Sequence, residues 1–284
     1  MMNAGTPLVS IIIPCYNHGN YILDTIASIE VIEDKSVYEV IIVNDGSTDG
    51  TTANILKEFD RTRPDNYTVI FQENQGVCAT RNNAISKAKG MYILPLDADN
   101  KLYPDYLYKA VEIFKSDPEV SVVYSNGKLT GSEQGVRYQM DFNLHALLTY
   151  NYIDTCAVYK KTLWEELGGY DTNMKWGLED WEFWLHAKFK GHKFHHIDEE
   201  LFEYRVEDNL RTKKLFSDGN NINRLMDYMI GKHAGYYGPQ FVTEYLLNKF
   251  KQHPVSFIRI TIIQAYFPKL FNKLVQKGKL RKYI

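Results

Sequence analysis

The sequence predicts an α/β fold: a mostly parallel sheet flanked by helices, followed by a helical C-terminal extension. Short apolar runs alternate with helix-like stretches over the first hundred residues, and a polar cluster follows each apolar run. Beyond about residue 211 the pattern becomes helical and basic. Alternating β and α segments are typical of parallel sheets covered by helices on both faces, so these observations together indicate the class.

The predicted elements follow in chain order. Strands are predicted at "LVSIII", "YEVIIV", "YTVIF" and "MYILPL", with helices between them at "NYILDTIASIE", "TTANILKEF" and "GVCATRNNAISKAKG". Further strands are predicted at "VSVVY" and "IDTCAVYKK". A helix is predicted at "GLEDWEFWLHAKFKG", where Gly191 is a typical C-terminal stop. Its apolar residues would share one face: Trp181, Trp184, Leu185 and Phe189.

Charge is distributed unevenly along the chain. Residues 245–284 contain nine Lys or Arg and no Asp or Glu, so the net charge of −2 leaves −11 for residues 1–244. In "FIRITIIQAYFPKLFNKLV" basic residues alternate with large apolar ones, which favours peripheral contact with a phospholipid surface over nucleic acid. A helical cap whose apolar stripe packs on the protein is the alternative, and the two are compatible.

The N-terminal region and the cysteines indicate a compartment. The chain enters an apolar strand-like run within eight residues, with no basic flank and no apolar segment of signal-peptide or membrane-spanning length. Cys15, Cys78 and Cys156 are far apart in apolar surroundings, which predicts buried free thiols in a reducing compartment. We therefore expect a cytoplasmic protein.

Polar clusters follow four of the predicted strands, at "PCYN", "NDGSTDG", "ENQG" and "DADN". Because parallel sheets bind ligands beyond the carboxyl ends of their strands, we expect one polar crevice there. Asp97 and Asp99 stand two residues apart, and such carboxylates repel unless a cation or basic side chains offset their charge. Hard oxygen ligands suit Mg²⁺ or Mn²⁺. A solvated turn, with Asn100 bonded to local backbone, is the alternative.

Other polar residues are candidates either for ligand binding and catalysis or for a local structural role. Asp45 could accept a hydrogen bond from a base or ribose, whereas Ser47 to Asp49 are predicted to cap the next helix. Arg81 falls early in a helix, where it could bind a diphosphate or form a surface ion pair. Glu179 and Asp180 begin a helix. The helix dipole would keep a general base ionised there, or the two acids would simply stabilise the helix.

Several enzyme classes are disfavoured by their missing motifs. The histidines at 192, 195 and 196 lack the usual ligand spacing of a zinc site. No G-x-G-x-x-G follows a strand, and there is no G-x-x-x-x-G-K-[ST] and no G-x-S-x-G. These absences argue against dinucleotide-dependent oxidoreductases, P-loop NTPases and hydrolases with a nucleophile elbow.

Taken in order, "SIIIPCYN", "VIIVNDGSTDGT", "ENQGVCATRNNAI", "YILPLDADN" and "LGGYD…GLEDWEFWLHAKFKG…EYRV" resemble the family 2 inverting glycosyltransferases of GT-A fold, over roughly residues 8–210. The resemblance implies a Rossmann-like sheet in a catalytic domain, 1–210, with a nucleotide-binding half, 1–100, and an acceptor half, 101–210. Residues 211–284 would form the helical basic extension.

The resemblance also implies a reaction. A sugar would move from a nucleoside-diphosphate sugar, with uridine the expected base, to the hydroxyl of a saccharide or lipid-linked acceptor. Such transfer would serve polysaccharide or lipopolysaccharide synthesis, at the inner membrane face if 245–284 contacts the membrane. A divalent cation, Mn²⁺ or Mg²⁺, would assist.

By the same resemblance, Asp180 and Glu179 would be the catalytic residues, with Asp180 as the base. Asp99 would bind the cation. The nucleotide would contact Pro14, Tyr16, Asn17, Asp45, Arg81 and Asp97. Within this set, Arg81 would lie near the diphosphate and Asp97 on the ribose side.

One departure from the family and two other functions remain open. Glu207 stands where the family often has His near the diphosphate, so Arg205 or Arg211 would supply compensating charge. A non-catalytic nucleotide-sugar-binding protein could retain the fold, although it would have no need of two acidic pairs. A nucleotidyltransferase shares the sheet type, but "PCYNHGNYI" carries no Lys or Arg for its usual basic loop.

Overall fold

The structure is a computed structural model that describes residues 6–175, 177–207 and 219–237, with isolated positions between 251 and 267. The chain forms two compact units, Met1–Asp208 and Asn209–Ile284. The functional roles given to 1–100, 101–210 and 211–284 stay predictions.

The first unit is built on one sheet whose first four strands are parallel, as predicted. They lie in the order β3-β2-β1-β4. Alternation of strands with helices places all four carboxyl ends at one edge. The bounds are β1 (Val9–Cys15), β2 (Tyr38–Asp45), β3 (Tyr67–Gln72) and β4 (Tyr92–Pro95).

The rest of the sheet is mixed, which the α/β alternation did not predict. The order continues β8-β6-β9-β5, with β7 paired to β6. Strand β8 is antiparallel to β4 and β6, whereas β6 and β9 are parallel. The bounds are β5 (Lys101–Leu102), β6 (Val120–Gly131), β7 (Gly135–Arg137), β8 (Val158–Lys160) and β9 (Lys193–Val206).

The strand predicted at "IDTCAVYKK" is wrong over most of its length, since only Val158–Lys160 is β structure. The backbone N–H groups of Asp154 and Cys156 donate to side chains, Gln139 Oε1 at 2.9 Å and Asp154 Oδ1 at 3.0 Å. These two N–H groups are therefore not available for hydrogen bonds to a neighbouring strand.

Helices of the first unit pack on its sheet, and the three predicted between the first four strands are present. The bounds are α1 (Ile22–Glu30), α2 (Thr52–Thr62), α3 (Val77–Lys87), α4 (Asp105–Ser116), α5 (Leu144–Leu147), α6 (Lys161–Leu167), α7 (Glu179–Phe189) and α8 (Gly219–Lys232). No helix in the described part of the chain has the length and apolar character that crossing a bilayer requires.

Helix α7 ends before Gly191, whose positive φ of 92° provides the predicted stop. The predicted apolar residues Trp181, Trp184 and Leu185 are buried, but theirs is not the only buried side of the helix. Glu182 and Phe183 are buried together with Trp181 and Trp184, because α7 packs against both α5 and α6. A helix enclosed on most sides keeps its first turn in a fixed position.

The core lies between the strands and the helices. Alternate residues of β1, such as Val9, Ile11 and Ile13, are fully buried in it. The three cysteines are buried free thiols, as predicted. Burial raises the pKa of Cys15 to about 12, so this thiol stays protonated and unreactive at neutral pH.

Gly90 is required where the chain enters β4, and we predict that Gly90→Ala destabilises the first unit. A Cβ at this position would lie 2.6 Å from the backbone nitrogen of Ser10, which cannot move without disturbing β1. We expect the free energy of unfolding to fall by about 1–3 kcal/mol. Urea denaturation followed by tryptophan fluorescence measures it, because all four Trp residues lie before residue 208.

The matched control is Gly231→Ala in α8, where an added Cβ meets no atom within 4 Å. Its tryptophan transition should be unchanged. An equally unaffected transition for Gly90→Ala would show that β1 and β4 are not packed as described.

Candidate active site

Asn17 joins the loops that follow β1 and β2. Its backbone is left-handed, with φ of 59°, and its N–H donates to Ser47 Oγ at 3.0 Å. Its Oδ1 accepts from the N–H groups of Thr48 at 2.7 Å and Asp49 at 3.1 Å. Asp49 accepts from two threonines at the start of α2. The predicted helix capping is therefore right for Asp49 and wrong for Ser47 and Thr48.

Asp45, at the end of β2, is buried and braces the loop that leads into α3. Its Oδ1 accepts from Gln72 Nε2 at 2.8 Å and from the Gln75 N–H at 2.9 Å, and its Oδ2 from the Gly76 N–H at 3.0 Å. Tyr16, just beyond β1, is exposed. The nucleoside contacts stay predictions for Pro14, Tyr16, Asn17 and Asp45.

Arg81 lies in α3 at the centre of the site and is only 2% exposed. Its Nη1 donates to Glu179 Oε1 at 2.6 Å, and its Nη2 donates to Asp97 Oδ1 at 2.9 Å. Burial alone would lower the pKa of Arg81, but the charges of Asp97 and Glu179 raise it well above its ordinary value. The contacts seen here are with carboxylates, and contact with a diphosphate stays a prediction.

Asn82, the next residue, fixes the loop that leads towards α7. Its Oδ1 accepts from the Tyr170 N–H at 2.8 Å and from Trp164 Nε1 at 2.9 Å. A Cβ at Gly169, where φ is 89°, would lie 2.8 Å from that oxygen, so only glycine fits. Leu178, directly before α7, is held at a φ of 58°. Helix α3 thus positions both the loop and the first turn of α7.

Asp97 and Asp99 lie on the short loop between β4 and β5, next to α1. Thr25 Oγ1 donates to the carbonyls of Ala98 at 2.9 Å and Asn100 at 2.8 Å, which fixes the loop. Burial and the charge of Asp97 raise the pKa of Asp99 to about 6. The charge of Asp97 therefore disfavours the ionised form of Asp99, as the spacing predicts. Of these two aspartates, Asp97 is the one that bonds to Arg81.

Arg205, near the end of β9, approaches the same loop from the other side. Its N–H donates to Asn100 Oδ1 at 2.9 Å, and its Nε donates to the Asp99 carbonyl at 3.1 Å. Its guanidinium lies 4.5 Å from the centre of the Tyr21 ring. A hydrogen bond to Glu207 raises the pKa of Tyr21. Arg205 thus places a positive charge near Asp99 and Glu207, whereas Arg211 lies outside the described residues.

Glu179 and Asp180 are the first residues of α7, as predicted. Asp180 Oδ1 accepts from the Trp181 N–H at 2.8 Å. Burial and the charges of Glu179 and Asp154 raise the pKa of Asp180 to about 7. The helix start alone does not keep this acid ionised, because burial and two nearby negative charges outweigh the dipole.

A metal site formed by protein groups alone is not present in the part of the chain that the structure describes, since no three His, Cys, Asp or Glu side chains are grouped for one. His196 instead contacts Asp141 and Asn126, and His192 contacts Ser121. A cation at Asp99 would therefore take other ligands from phosphate oxygens and water, which is common for Mg²⁺.

The sequence of the first unit matches a known family. The sequence model of "Glycosyl transferase family 2" matches residues 10–168. The chain belongs to this family. It is therefore a glycosyltransferase that uses nucleotide sugars, and the resemblance noted in the sequence is confirmed.

Relatives of this glycosyltransferase include enzymes named for polysaccharide synthesis. The putative teichuronic acid biosynthesis glycosyltransferase TuaG of Bacillus subtilis is 32% identical over 72% of this chain and 81% of its own length. The hyaluronan synthase of Pasteurella multocida is 29% identical over 74% of this chain. This match spans only 22% of the synthase. An uncharacterized Sinorhizobium fredii protein is 28% identical over 70% of this chain, and that match also spans only 22% of the relative.

Solved structures confirm the GT-A fold. S. aureus TarS 1–349 in complex with UDP-GlcNAc superposes with a TM-score of 0.65 at 15% identity, covering 97% of this chain and 92% of that one. The Pyrobaculum calidifontis mannosyltransferase PcManGT, in complex with GDP-Man and Mn²⁺, has a TM-score of 0.59 at 19% identity, covering 95% and 85%. At these identities the likeness shows the fold.

The structure brings Arg81, Asp97, Glu179 and Asp180 of the glycosyltransferase together, although they are distant in sequence. It also adds two residues that the sequence did not indicate. Asp154 is buried and acts on Asp180, and Arg137 lies 3.0 Å from Asp154. Neither belongs to a recognisable motif, so only their approach in three dimensions reveals them.

We predict that Arg81→Gln destabilises the glycosyltransferase by about 3–5 kcal/mol, because it leaves two carboxylates without their buried counter-charge. Urea denaturation at pH 7, followed by tryptophan fluorescence, measures this loss.

Arg61→Gln is the matched control, since the Arg61 and Glu58 side chains are 75% and 69% exposed. It should change stability by less than about 0.5 kcal/mol. Similar losses for the two variants would refute a special role for the buried pairings of Arg81.

Proposed function

We propose that this enzyme transfers a sugar from a UDP-sugar to an acceptor hydroxyl with inversion of configuration, and that Asp180 is the general base. The observation that carries the proposal is the placement of Asp180 at the start of α7. Its pKa of about 7 suits a base that must take up a proton at neutral pH. Through Glu179 and Arg81, this helix start is joined to the loop of Asp97 and Asp99.

The donor would lie at the carboxyl ends of β1 to β4. Support for UDP comes from the TarS structures, which contain UDP or UDP-GlcNAc and share the fold. On this proposal Pro14, Tyr16, Asn17 and Asp45 contact the nucleoside, and Asp97 lies on the ribose side. Arg81 would add positive charge near the diphosphate, although its Nη groups are bonded to carboxylates here.

The residues present fit a divalent cation. Asp99 offers a hard oxygen ligand, and the raised pKa of Asp99 indicates a place where positive charge is lacking. The cation, Mn²⁺ or Mg²⁺, would compensate the negative charge that develops on the departing nucleoside diphosphate. Arg205, whose Nε bonds to the Asp99 carbonyl, contributes fixed positive charge to the same region.

The transfer itself would be a single displacement. The carboxylate of Asp180 takes the proton of the acceptor hydroxyl as its oxygen attacks the anomeric carbon. The bond from that carbon to the diphosphate oxygen breaks, and the diphosphate leaves with the electron pair. Attack from the face opposite the leaving group inverts the configuration. Glu179 is a positioning residue, because its bond to Arg81 fixes the first turn of α7.

The acceptor is proposed to be a saccharide or a lipid-linked saccharide in cell-surface polysaccharide or lipopolysaccharide synthesis, as the name of TuaG suggests for that relative. A place at the inner membrane face is part of this proposal. Most of 245–284 lies outside the described residues, but large apolar side chains are exposed at Val255, Ile258, Ile262, Tyr266 and Phe267. Such residues beside basic ones favour an anionic lipid surface.

We predict that Asp180→Asn lowers kcat for UDP release from UDP-GlcNAc and Mn²⁺ by about 10²–10⁴-fold, because the amide cannot accept the proton. Donor affinity in a thermal-shift titration should hardly change. In the unmodified enzyme the rate should rise with pH, reach half of its maximum near pH 7 and level off above that, since the deprotonated carboxyl is the active form. If UDP-GlcNAc is not hydrolysed, a panel of UDP-sugars replaces it.

Asp117→Asn is the control, because Asp117 is exposed and pairs with Lys193 on the surface. It should keep full activity. Lost donor affinity with preserved turnover in Asp180→Asn would contradict the assignment of the base. Nucleotide binding without any UDP release by the unmodified enzyme would favour a non-catalytic binding protein.

We predict that Asp99→Asn weakens Mn²⁺-dependent binding of UDP at least tenfold in isothermal calorimetry, because the variant loses the anionic oxygen ligand. EDTA should abolish the same heat of binding in the unmodified protein. Asp117→Asn should behave as the unmodified protein does. Full Mn²⁺-dependent affinity in Asp99→Asn would exclude Asp99 as the ligand.

A further inference from the structure

Arg137 and Asp154 form an ion pair that acts on the start of α7. Arg137 Nε lies 3.0 Å from Asp154 Oδ2, and the Asp154 side chain is only 4% exposed. Asp154 acts electrostatically on Asp180, and so does Arg137. Trp181, which follows Asp180, donates through Nε1 to the Leu147 carbonyl, so the segment that leads to Asp154 packs on the start of α7. The transfer described above uses neither Arg137 nor Asp154.

The guanidinium of Arg137 has a fixed orientation. Strand β7 carries it, in antiparallel register with Gly127 of β6. Its Cζ lies 4.5 Å from the centre of the Tyr204 ring on β9. Pairing on one side and an aromatic ring on another leave little rotational freedom. About a third of the side chain is still exposed.

Asp154 is fixed equally well. Its Oδ1 accepts from the Cys156 N–H at 3.0 Å, while its own N–H donates to Gln139 Oε1 at 2.9 Å. Gln139 is buried and bonds through its N–H to Asn126 Oδ1 at 2.8 Å. The pair is therefore part of a rigid polar network that connects β6, β7 and the segment before β8.

The charges around Asp180 come from several elements and differ in sign. Glu179 on its own helix and Asp154 disfavour the ionised carboxyl, whereas Arg81 on α3 and the side chain of Asn151 favour it. Arg137 is attracted to the ionised form of Asp180, and the buried hydroxyl of Tyr170 faces the same region. Burial raises the pKa of Asp154, whereas the charge of Arg137, and less strongly that of Arg81, favours its ionised form.

We propose that Arg137 and Asp154 are a positioning pair that sets the proton affinity of the base Asp180, and thereby the pH range of sugar transfer. This inference rests on the proposed function, in which Asp180 is the base. Asp154 keeps Asp180 basic enough to accept a proton at neutral pH. Arg137 limits this effect of Asp154, so that Asp180 is still unprotonated when the acceptor hydroxyl needs a base.

Two substitutions test the pair through opposite effects. Asp154→Asn removes an anion and leaves Arg137 uncompensated. The acid limb of the pH–rate profile for UDP release should therefore move to lower pH by roughly half to one pH unit. Adding Arg137→Gln to that variant removes the cation and should move the limb back up. Arg137→Lys keeps the charge and should leave the limb unchanged. Lost packing alone would not shift the limb in opposite directions.

A limb that does not move in Asp154→Asn, or that stays low in the double variant, would overturn the inference. If Asp154→Asn does not fold, the comparison of Arg137→Lys with Arg137→Gln replaces it. There the limb should rise only for Gln, and equal limbs refute the pair. Arg61→Gln, on the exposed surface, controls for the loss of one positive charge.

A second readout separates this inference from the proposed function. Carbon-13 NMR titration follows the Asp180 carboxyl directly, with Asp180→Asn identifying its resonance, and should show the same shifts without any substrate. If no UDP-sugar is turned over but the titration shifts, the proposed function fails and the pair still sets the proton affinity. If turnover is normal and the titration does not shift, only the pair is refuted.

Discussion

The buried guanidinium of Arg81 is the interaction on which the site depends. A cation that is 2% exposed requires anions, and Arg81 takes one from the loop after β4, Asp97, and one from the start of α7, Glu179. Helix α3 is itself placed by Asp45, which accepts from two N–H groups at its entry. A single buried charge thus connects the donor side of the sheet with the helix that carries Asp180.

The site carries more negative than positive charge. Arg81 pairs with both Asp97 and Glu179, so two carboxylates share one positive charge. Asp99 and Asp180 have pKa values raised to about 6 and about 7. Raised carboxyl pKa values are typical of functional sites, where burial and nearby like charges are tolerated because ligand binding or proton transfer uses them. On the proposed function the two acids have separate roles, with Asp99 binding the cation and Asp180 taking the proton of the acceptor.

The long pairing of β6 with β9 joins these two sides. Its register shifts between Ser125 and Gly127. Arg205 on β9 reaches the loop of Asp99, while the ring of Tyr204 next to it contacts the guanidinium of Arg137. Adjacent residues of one strand therefore contact both the Asp99 loop and Arg137.

The sequence by itself determined the parallel half of the sheet, the polar loops at its edge and the family, because these depend on local periodicity and ordered motifs. It also located the acids at 97, 99, 179 and 180. Only the tertiary structure decided that Arg81 bonds to carboxylates, that α7 is enclosed on most sides, and that Arg137 and Asp154 lie near Asp180. Those facts depend on contacts between residues far apart in the chain, and burial and charge act through space, which no local pattern records.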